Sequence, residues 1–449
     1  MKKIVFSDTL KNVSKISSGT AIGQVISMIS LPILTRLYGA TIIGNWALIN
    51  SIVVIINSFS DLGLTNSIMT EKEKEKARET YSVIYTIVAI IGLIFYIGIF
   101  IYFSLIEKES WVKSLIVSLF AMILLITLQY IQLSYTWLNR NKEYGILMKN
   151  PIINNITVTI SSIILFYLGF NEYGYYIGFL MGQILTLLHM KRKCPQNRLN
   201  LNFKAWKRVV DRNLNFVKYQ TTTNIFMQFK GQLPTLLIKI FFGAEVLGYY
   251  SVAIRLINMP INFLANAMGR VFFQRASELN NNNENIGDFT LRNMKRAMKL
   301  AYFPIILCLV VGDIAFILFL GEQYRISGNI ARIMIFYSYF LFLSMSVNGV
   351  AIIIEKQKYV LYSGILQIVG FFIGIFIGFI TFKSIYIATF LMSIIFSIIQ
   401  IIYFCSLYRS LNITISKYLI PLVKSLICIF ICYVFIRGGM IYFSIVSTW

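Results

Sequence analysis

Apolar runs of about 20 residues recur from one end of the chain to the other, and they constrain the fold more than any other feature. A run of that length crosses the roughly 30 Å hydrocarbon core of a bilayer as one helix. The runs lack the alternating pattern of a lipid-facing β-barrel. Of the 449 residues, 57% are hydrophobic and only 13% are charged. The sequence therefore predicts an all-α polytopic membrane protein.

The hydropathy pattern predicts twelve spans and a surplus at the C-terminus. The spans are 15–37, 42–62, 82–106, 112–137, 147–169, 173–190, 217–242, 247–272, 299–320, 329–353, 360–382 and 385–408. A further run at 417–436 indicates a thirteenth span. It ends at Arg437-Gly438-Gly439, and the tail IYFSIVSTW is too short to cross alone. The expected number of helices is thus about 12 to 14.

The positive charge is distributed in a way that predicts orientation. The net charge is +23, and 29 of the 41 Lys and Arg residues fall in the N-terminus and every second loop. By the positive-inside rule, the N-terminus is expected in the cytoplasm. No aromatic interleaving or binding module accompanies these cations, so a nucleic-acid partner is not expected.

Two short segments indicate an internal repeat. GATIIGNW (39–46) and GAEVLGYY (243–250) lie 204 residues apart, and each joins the first to the second span of a set of six. Six spans per period give a parallel repeat; chance agreement between glycine-rich turns is the alternative. The predicted organisation is an N-terminal six-helix lobe (1–190), a basic cytoplasmic linker (191–215), a C-terminal six-helix lobe (216–410) and one or more extra hydrophobic helices (411–449).

Polar residues form helical stripes inside two of these spans. Steps of three and four place them on one face of each helix. In the eighth span they are Ser251, Arg255, Asn258, Asn262, Asn266 and Arg270; in the seventh they are Gln220, Asn224, Gln228, Gln232, Thr235 and Lys239. Lipid cannot solvate such faces, so they line either a helix interface or a watery cavity.

The charges within the spans favour a cavity that accepts an anion. Seven cations (Arg36, Lys230, Lys239, Arg255, Arg270, Arg332 and Lys424) stand against three acids (Asp61, Asp313 and Glu355). Internal ion pairs, such as Asp313 with Lys230, are the alternative. Unpaired charge in a membrane is costly and usually functional. The candidate substrate-binding residues are Arg36, Lys230, Lys239, Arg255, Arg270, Asn258, Asn262 and Gln228.

Lys230 and Lys239 lie nine residues apart, about 180° around a straight helix. Both can face one cavity only if the helix bends at Pro234. Asp61 and Asp313 are candidates for coupling to a proton or sodium gradient, although Asp61 also stands where a helix end would use it structurally.

An enzyme is not expected, because the outward loops are short and no Walker-type motif or catalytic carboxylate pair is present. No cofactor or metal is predicted.

Three segments resemble a known family: LPILTRLYGATIIGNWALINSIV (31–53), LPTLLIKIFFGAEVLGYYSVAIRLINMP (233–260) and GEQY (321–324). They are similar to Wzx-type O-antigen flippases of the multidrug/oligosaccharidyl-lipid/polysaccharide (MOP) exporter superfamily, and in topology the similarity covers almost the whole chain. The surplus C-terminal helix departs from the twelve-span pattern.

The resemblance implies a multi-pass protein of the bacterial inner membrane with two lobes around a V-shaped central cleft, lined by the first, second, seventh and eighth spans. The implied substrate is an undecaprenyl-pyrophosphate-linked oligosaccharide, an O-antigen or capsule repeat unit, moved to the periplasmic leaflet by alternating access. Membrane lipids, a polysaccharide polymerase and a chain-length regulator are the expected partners.

Three alternatives remain open. A lipid II flippase would suit the same cations. If the chain were a cation-coupled multidrug exporter of the same superfamily, acids would be expected to dominate the cleft. The spans contain more cations than acids, which is the reverse. A purely structural membrane subunit would not need embedded charge.

Overall fold

The computed structural model describes residues 2–106, 108, 110–195, 199–282 and 284–442, with the backbone only for residues 2–14. Within these ranges the regular structure is helical and no β-strand occurs, which confirms the all-α prediction. The chain separates into two compact units, Met1–Gln232 and Leu233–Trp449. The predicted boundaries at 190 and 216 follow loop composition and stay predictions.

Unit 1 contains seven complete helices and the beginning of an eighth. They are α1 (Lys2–Asn57), α2 (Ser67–Thr70), α3 (Lys74–Ile101), α4 (Trp111–Arg140), α5 (Tyr144–Tyr167), α6 (Asn171–Lys191), α7 (Phe203–Arg212) and the first part of α8 (Thr221–Asn281). A 3-10 turn at Leu64–Asn66 follows α1, and π-helical turns occupy Tyr102–Ile106 and Phe216–Gln220.

An aromatic core holds α1 against its neighbours in unit 1. The centroid of the Trp46 ring lies 4.3 Å from that of Phe179 on α6 and 5.7 Å from that of Phe120 on α4. The Tyr38 hydroxyl donates a 2.6 Å hydrogen bond to the Ser162 carbonyl on α5. Trp46 is the closing aromatic of GATIIGNW, so the repeat segment also anchors the core of this unit.

Unit 2 contains the rest of α8 and six further helices. They are α9 (Ile286–Leu320), α10 (Arg325–Ser346), α11 (Val350–Ile353), α12 (Gln357–Ile380), α13 (Ile385–Ser410) and α14 (Ser416–Tyr442). Helix α9 packs against α10 and α14, α10 packs against α13, and α13 packs against α12. The Asn285 side chain caps α9 by accepting a 3.0 Å hydrogen bond from the Asp288 amide.

The two repeat segments share an unusual backbone at their first glycine. Gly39 interrupts α1 with φ 71° and ψ 174°, and Gly243 interrupts α8 with φ 86° and ψ 178°. This region of backbone space is essentially restricted to glycine. As unbroken rods, α1 and α8 would be about 84 Å and 92 Å long, far more than one membrane crossing. Each break therefore separates two spans.

Nine helices in the described residues are long and apolar enough to cross a membrane. Two of them, α1 and α8, contain two segments each. Helices α5 and α6 fall outside this set, although they are 24 and 21 residues long. Including them gives thirteen segments, within the predicted range of 12 to 14.

The linker expected to be a polar tether contains a docked helix. On α7, Ala205 and Val209 are buried and Asn202 caps the first turn by accepting from the Lys204 amide at 3.0 Å. Arg208 pairs with Glu79 on α3 at 2.8 Å. The sequence did not predict this helix, because its ten amphipathic residues contain too few apolar side chains to raise the mean hydropathy of the linker.

Helix α14 does not end where the sequence predicted. It continues through Arg437, Gly438 and Gly439 to Tyr442, six residues past the predicted end at 436. Glycine lowers helix propensity by about 1 kcal/mol, which packing against a neighbour can offset. The prediction of a partial fourteenth helix falls mainly on residues 443–449, which lie outside the described residues.

Candidate functional site: a cationic stripe and a buried arginine cluster

The polar stripe of the eighth span lies on the exposed face of α8. We call Arg255, Asn258, Asn262, Asn266 and Arg270 the cationic stripe. Arg255, Asn266 and Arg270 are exposed, and the two other asparagines are half-buried. Buried residues of the same helix pack into unit 2 and are small or apolar, namely Val252, Ala253, Ile257, Ala265 and Gly269. The two arginines of the stripe thus lie at the surface of unit 2.

Two side chains of the stripe are oriented by hydrogen bonds. Asn258 accepts a 3.3 Å hydrogen bond from the Ser338 hydroxyl on α10. The Arg270 Nε donates to the Asn266 carbonyl one turn earlier, at 3.2 Å. From Arg255 to Arg270 the helix rises about 22 Å, so the stripe follows the helix over most of a membrane thickness.

The two lysines of α8 are both half-buried but belong to different units. Lys230 lies in unit 1 with the exposed Gln228, and Lys239 lies in unit 2 beyond Pro234. Neither lysine has a hydrogen bond or ion pair with a described residue of its own unit. Their common orientation toward a cavity stays a prediction.

Arg36 lies on α1 in unit 1, three residues before the break at Gly39, and it is exposed. Lys239 lies four residues before the break at Gly243. Both cations thus lie near the end of the first helix of their repeat.

Asp61 holds a turn of backbone at the end of α1. Its two carboxylate oxygens accept hydrogen bonds from the amides of Gly63 at 2.9 Å and Thr65 at 3.1 Å. Gly63 has φ 68°, and a Cβ there would lie 2.8 Å from the Thr221 hydroxyl oxygen at the start of α8. The carboxylate therefore shapes the turn against which α8 begins.

Asp313 belongs to a buried arginine cluster formed with Arg332, Tyr433 and Arg437. Arg437 is 0% exposed and donates to both Asp313 oxygens, at 3.1 Å and 2.7 Å, and to the Val310 carbonyl at 2.7 Å. Such a two-pronged contact fits the planar guanidinium. It ties α14 to α9 and gives Asp313 a charge partner within unit 2.

Arg332 forms the second arm of the buried arginine cluster. One terminal nitrogen lies 3.6 Å from Asp313, the Nε donates to the Leu309 carbonyl at 2.8 Å, and the other terminal nitrogen donates to the Tyr433 hydroxyl at 3.0 Å. Its side chain is only 10% exposed. Arg332, one of the seven cations predicted within spans, is thus paired with an acid of its own unit.

Sequence reasoning missed Arg437 because it assigned this residue to an outward loop. Two sequence features together could have identified it. Arg437 directly follows an apolar run, and an earlier span contains Asp313, an acid that needs a counterion. Lys424 also lies on α14, but it is exposed. Within the described residues, no group of three or more His, Cys, Asp or Glu side chains is placed to hold a metal ion.

Comparison with known proteins places these features in a family. Residues 33–329 match a family described as "Polysaccharide biosynthesis protein". No curated protein matches the sequence.

Solved structures of membrane transporters share the fold. "Lipid II flippase MurJ, inward closed conformation" aligns over 93% of this chain and 92% of its own, with a TM-score of 0.72 and 16% identity. An inward-facing multidrug resistance MATE family transporter of the MOP superfamily aligns over 89% and 94%, with a TM-score of 0.55 and 14% identity. A MOP superfamily transporter from Pyrococcus furiosus aligns over 90% and 97%, also with a TM-score of 0.55 and 14% identity.

Proposed function

The chain belongs to the polysaccharide biosynthesis protein family, and we propose that it is a flippase for a lipid-linked oligosaccharide. The proposed substrate is an undecaprenyl-pyrophosphate-linked oligosaccharide, an O-antigen or capsule repeat unit. The proposed direction is from the cytoplasmic to the periplasmic leaflet of the inner membrane, with the N-terminus in the cytoplasm. The observation that carries the proposal is the exposed cationic stripe on a membrane-spanning helix.

The cationic stripe suits an anionic head group that must move along the membrane normal. Arginine binds phosphate oxygens with two parallel hydrogen bonds. Arg255 and Arg270 offer two such positions on one face of α8, with asparagines between them that can bind sugar hydroxyls. We assign Lys230, Lys239 and Arg36 as further contacts for the pyrophosphate, while the prenyl chain stays in lipid.

Alternating access of two lobes is the proposed mechanism, because the fold is shared with transporters of the MOP superfamily. Coupling to a proton or sodium gradient through Asp61 or Asp313 would require their hydrogen bonds to open during transport. For Asp313 this means separation from two arginines. Exchange of Asp313 for Asn therefore combines a coupling test with a stability test.

The proposal is tested by reconstitution of the purified full chain in vesicles containing the oligosaccharide lipid with a fluorescent sugar label. Transfer between leaflets is followed by quenching with a membrane-impermeant reductant. We expect Arg255→Ala to slow transfer about 10-fold or more, because a charged hydrogen bond is lost, and Arg255→Lys to retain part of the rate. Lys424→Ala is the matched control, since it removes an exposed cation from another span.

Wild-type rates in both Arg255→Ala and Arg270→Ala would remove the cationic stripe from the mechanism. Absence of transfer by the wild-type protein, with the label still accessible on one side, would count against the flippase itself.

A second candidate is transport of lipid II, favoured by the shared fold with a lipid II flippase at a TM-score of 0.72. Its head group also carries a pyrophosphate, so the same cations would serve it. The two candidate functions are distinguished by measuring the transfer rates of both labelled lipids in the same vesicles. Faster transfer of lipid II than of the oligosaccharide lipid would favour the second.

A further inference from the structure

An apolar groove in unit 1 separates α7 from α3. It has a volume of about 410 Å³ and is lined by Leu62, Ile87, Ile90, Ile91, Phe203, Trp206, Lys207, Val210 and Asp211. Seven of these nine residues are apolar, and the two charged ones both come from α7. We call it the α3–α7 groove.

Contacts along the two helices fix their relative direction. At the C-terminal end of α7, Arg212 lies 3.3 Å from Glu71 and donates to the Thr80 hydroxyl at 3.0 Å. Before its N-terminal end, the Asn200 amide donates to the Thr86 hydroxyl at 2.9 Å. Thr86 is twelve residues into α3, about 18 Å from its first residue. Helix α7 thus runs antiparallel to α3, and its N-terminal side reaches the apolar part of that span.

The segment at this depth exposes large apolar side chains. Leu199, Leu201 and Phe203 are 60%, 75% and 75% exposed, and Ile90, which lines the groove on α3, is 37% exposed. The Trp206 indole donates to the Asn200 carbonyl at 2.6 Å, which fixes the turn that presents them. An amphipathic helix with this pattern lies in the membrane interface with its apolar side in the acyl region. The α3–α7 groove therefore opens toward lipid.

The polar side of α7 contains two kinds of cation. Arg208 and Arg212 pair with glutamates of the segment before and within α3. Lys204 and Lys207 are exposed and have no ion pair with a described residue. Asp211 is the acid at the groove, so these two lysines leave a net positive rim. The positive-inside prediction assigns this rim to the cytoplasmic leaflet, where anionic lipids attract lysines near the surface.

We propose that the α3–α7 groove binds an anionic phospholipid of that leaflet. One acyl chain lies along Ile87, Ile91 and Trp206, and the phosphate contacts Lys204 and Lys207. This site lies in unit 1, whereas the cationic stripe lies in unit 2, and a bound lipid would hold α7 at the membrane surface.

Quenching of Trp206 fluorescence by lipids with brominated acyl chains tests the site in the full chain. The fluorescence of Trp206 is obtained by subtracting the emission of Trp206→Phe from that of the wild type in vesicles of the same composition. We expect brominated phosphatidylglycerol to quench it at a concentration about fivefold or more below that needed for brominated phosphatidylcholine. Lys204→Gln/Lys207→Gln should abolish this preference.

The matched control is Arg292→Gln/Lys299→Gln, which removes two exposed cations from α9 in unit 2; the preference should persist. Equal quenching by the two lipids, or no quenching of Trp206, would overturn the proposal. Relief of quenching by undecaprenyl phosphate at a lower mole fraction than by unlabelled phosphatidylglycerol would assign the groove to a prenyl chain instead, and would also overturn it.

Discussion

The cationic stripe and the buried arginine cluster contain the same residue type, arginine within an apolar helix, in opposite surroundings. Arg255 and Arg270 are exposed on α8. Arg437 is fully buried and contacts both oxygens of Asp313. We propose that the exposed arginines serve a ligand, whereas the contacts of Arg437 show that it serves the fold. Only the second kind should be needed for stability.

The largest effect should come from Arg437→Ala. It leaves Asp313 buried with a single, longer contact to Arg332, and breaking a buried pair costs about 3–5 kcal/mol. We expect the melting temperature of the detergent-solubilised protein to fall by about 10 °C, as measured by loss of the monodisperse size-exclusion peak after heating. Lys424→Ala on the same helix should melt as wild type.

Replacing all three charged groups separates charge from packing. Asp313 also pairs with Arg332, so removing Asp313 and Arg437 alone would leave a buried guanidinium without its acid. Asp313→Leu/Arg332→Leu/Arg437→Leu should recover part of the stability lost in Arg437→Ala, because it leaves no uncompensated buried charge. A triple variant less stable than Arg437→Ala would show that the cluster is needed for packing as well as for charge balance.

An intermediate effect is expected for Arg332→Ala. This variant keeps the two-pronged contact between Arg437 and Asp313 but removes the bonds to the Leu309 carbonyl and the Tyr433 hydroxyl. Loss of hydrogen bonds from a charged group costs about 1–3 kcal/mol. The same heating assay should show a fall of about 5 °C. Tyr433→Phe, which removes one acceptor, is expected to fall between this variant and wild type.

The smallest effect on stability is expected for the cationic stripe. Arg255→Ala and Arg270→Ala remove exposed side chains and should melt within about 2 °C of wild type, although Arg255→Ala slows transfer in the vesicle assay. A fall as large as that of Arg437→Ala would break the comparison, because the stripe would then be part of the packed structure.

Hydropathy predicted the membrane spans well, because apolar runs are required wherever a helix meets lipid. It underestimated helix length at several ends. Helix α9 begins at Ile286 rather than 299, and α8 continues to Asn281 rather than 272. Hydropathy marks the lipid-facing part of a helix, and the polar turns beyond it have no such signal.

The candidate site was predictable in pattern but not in pairing. Steps of three and four residues along α8 identified the cationic stripe, in which the two arginines are exposed. The partner of Asp313 could not be predicted, because residues 124 positions apart are brought together only by the packing of α14 on α9. Counting charges could not show that Arg332 lies 3.6 Å from Asp313.

The position of Arg437 in the last helix has a consequence for biogenesis. Asp313 leaves the ribosome 124 residues before its main counterion, which at 5–20 residues per second is a delay of about 6 to 25 s. During that interval Arg332 is the available neutralising group for the nascent span. Release from the translocon before α14 has inserted would leave the acid with Arg332 as its counterion, so completion of this unit is tied to the insertion of α14.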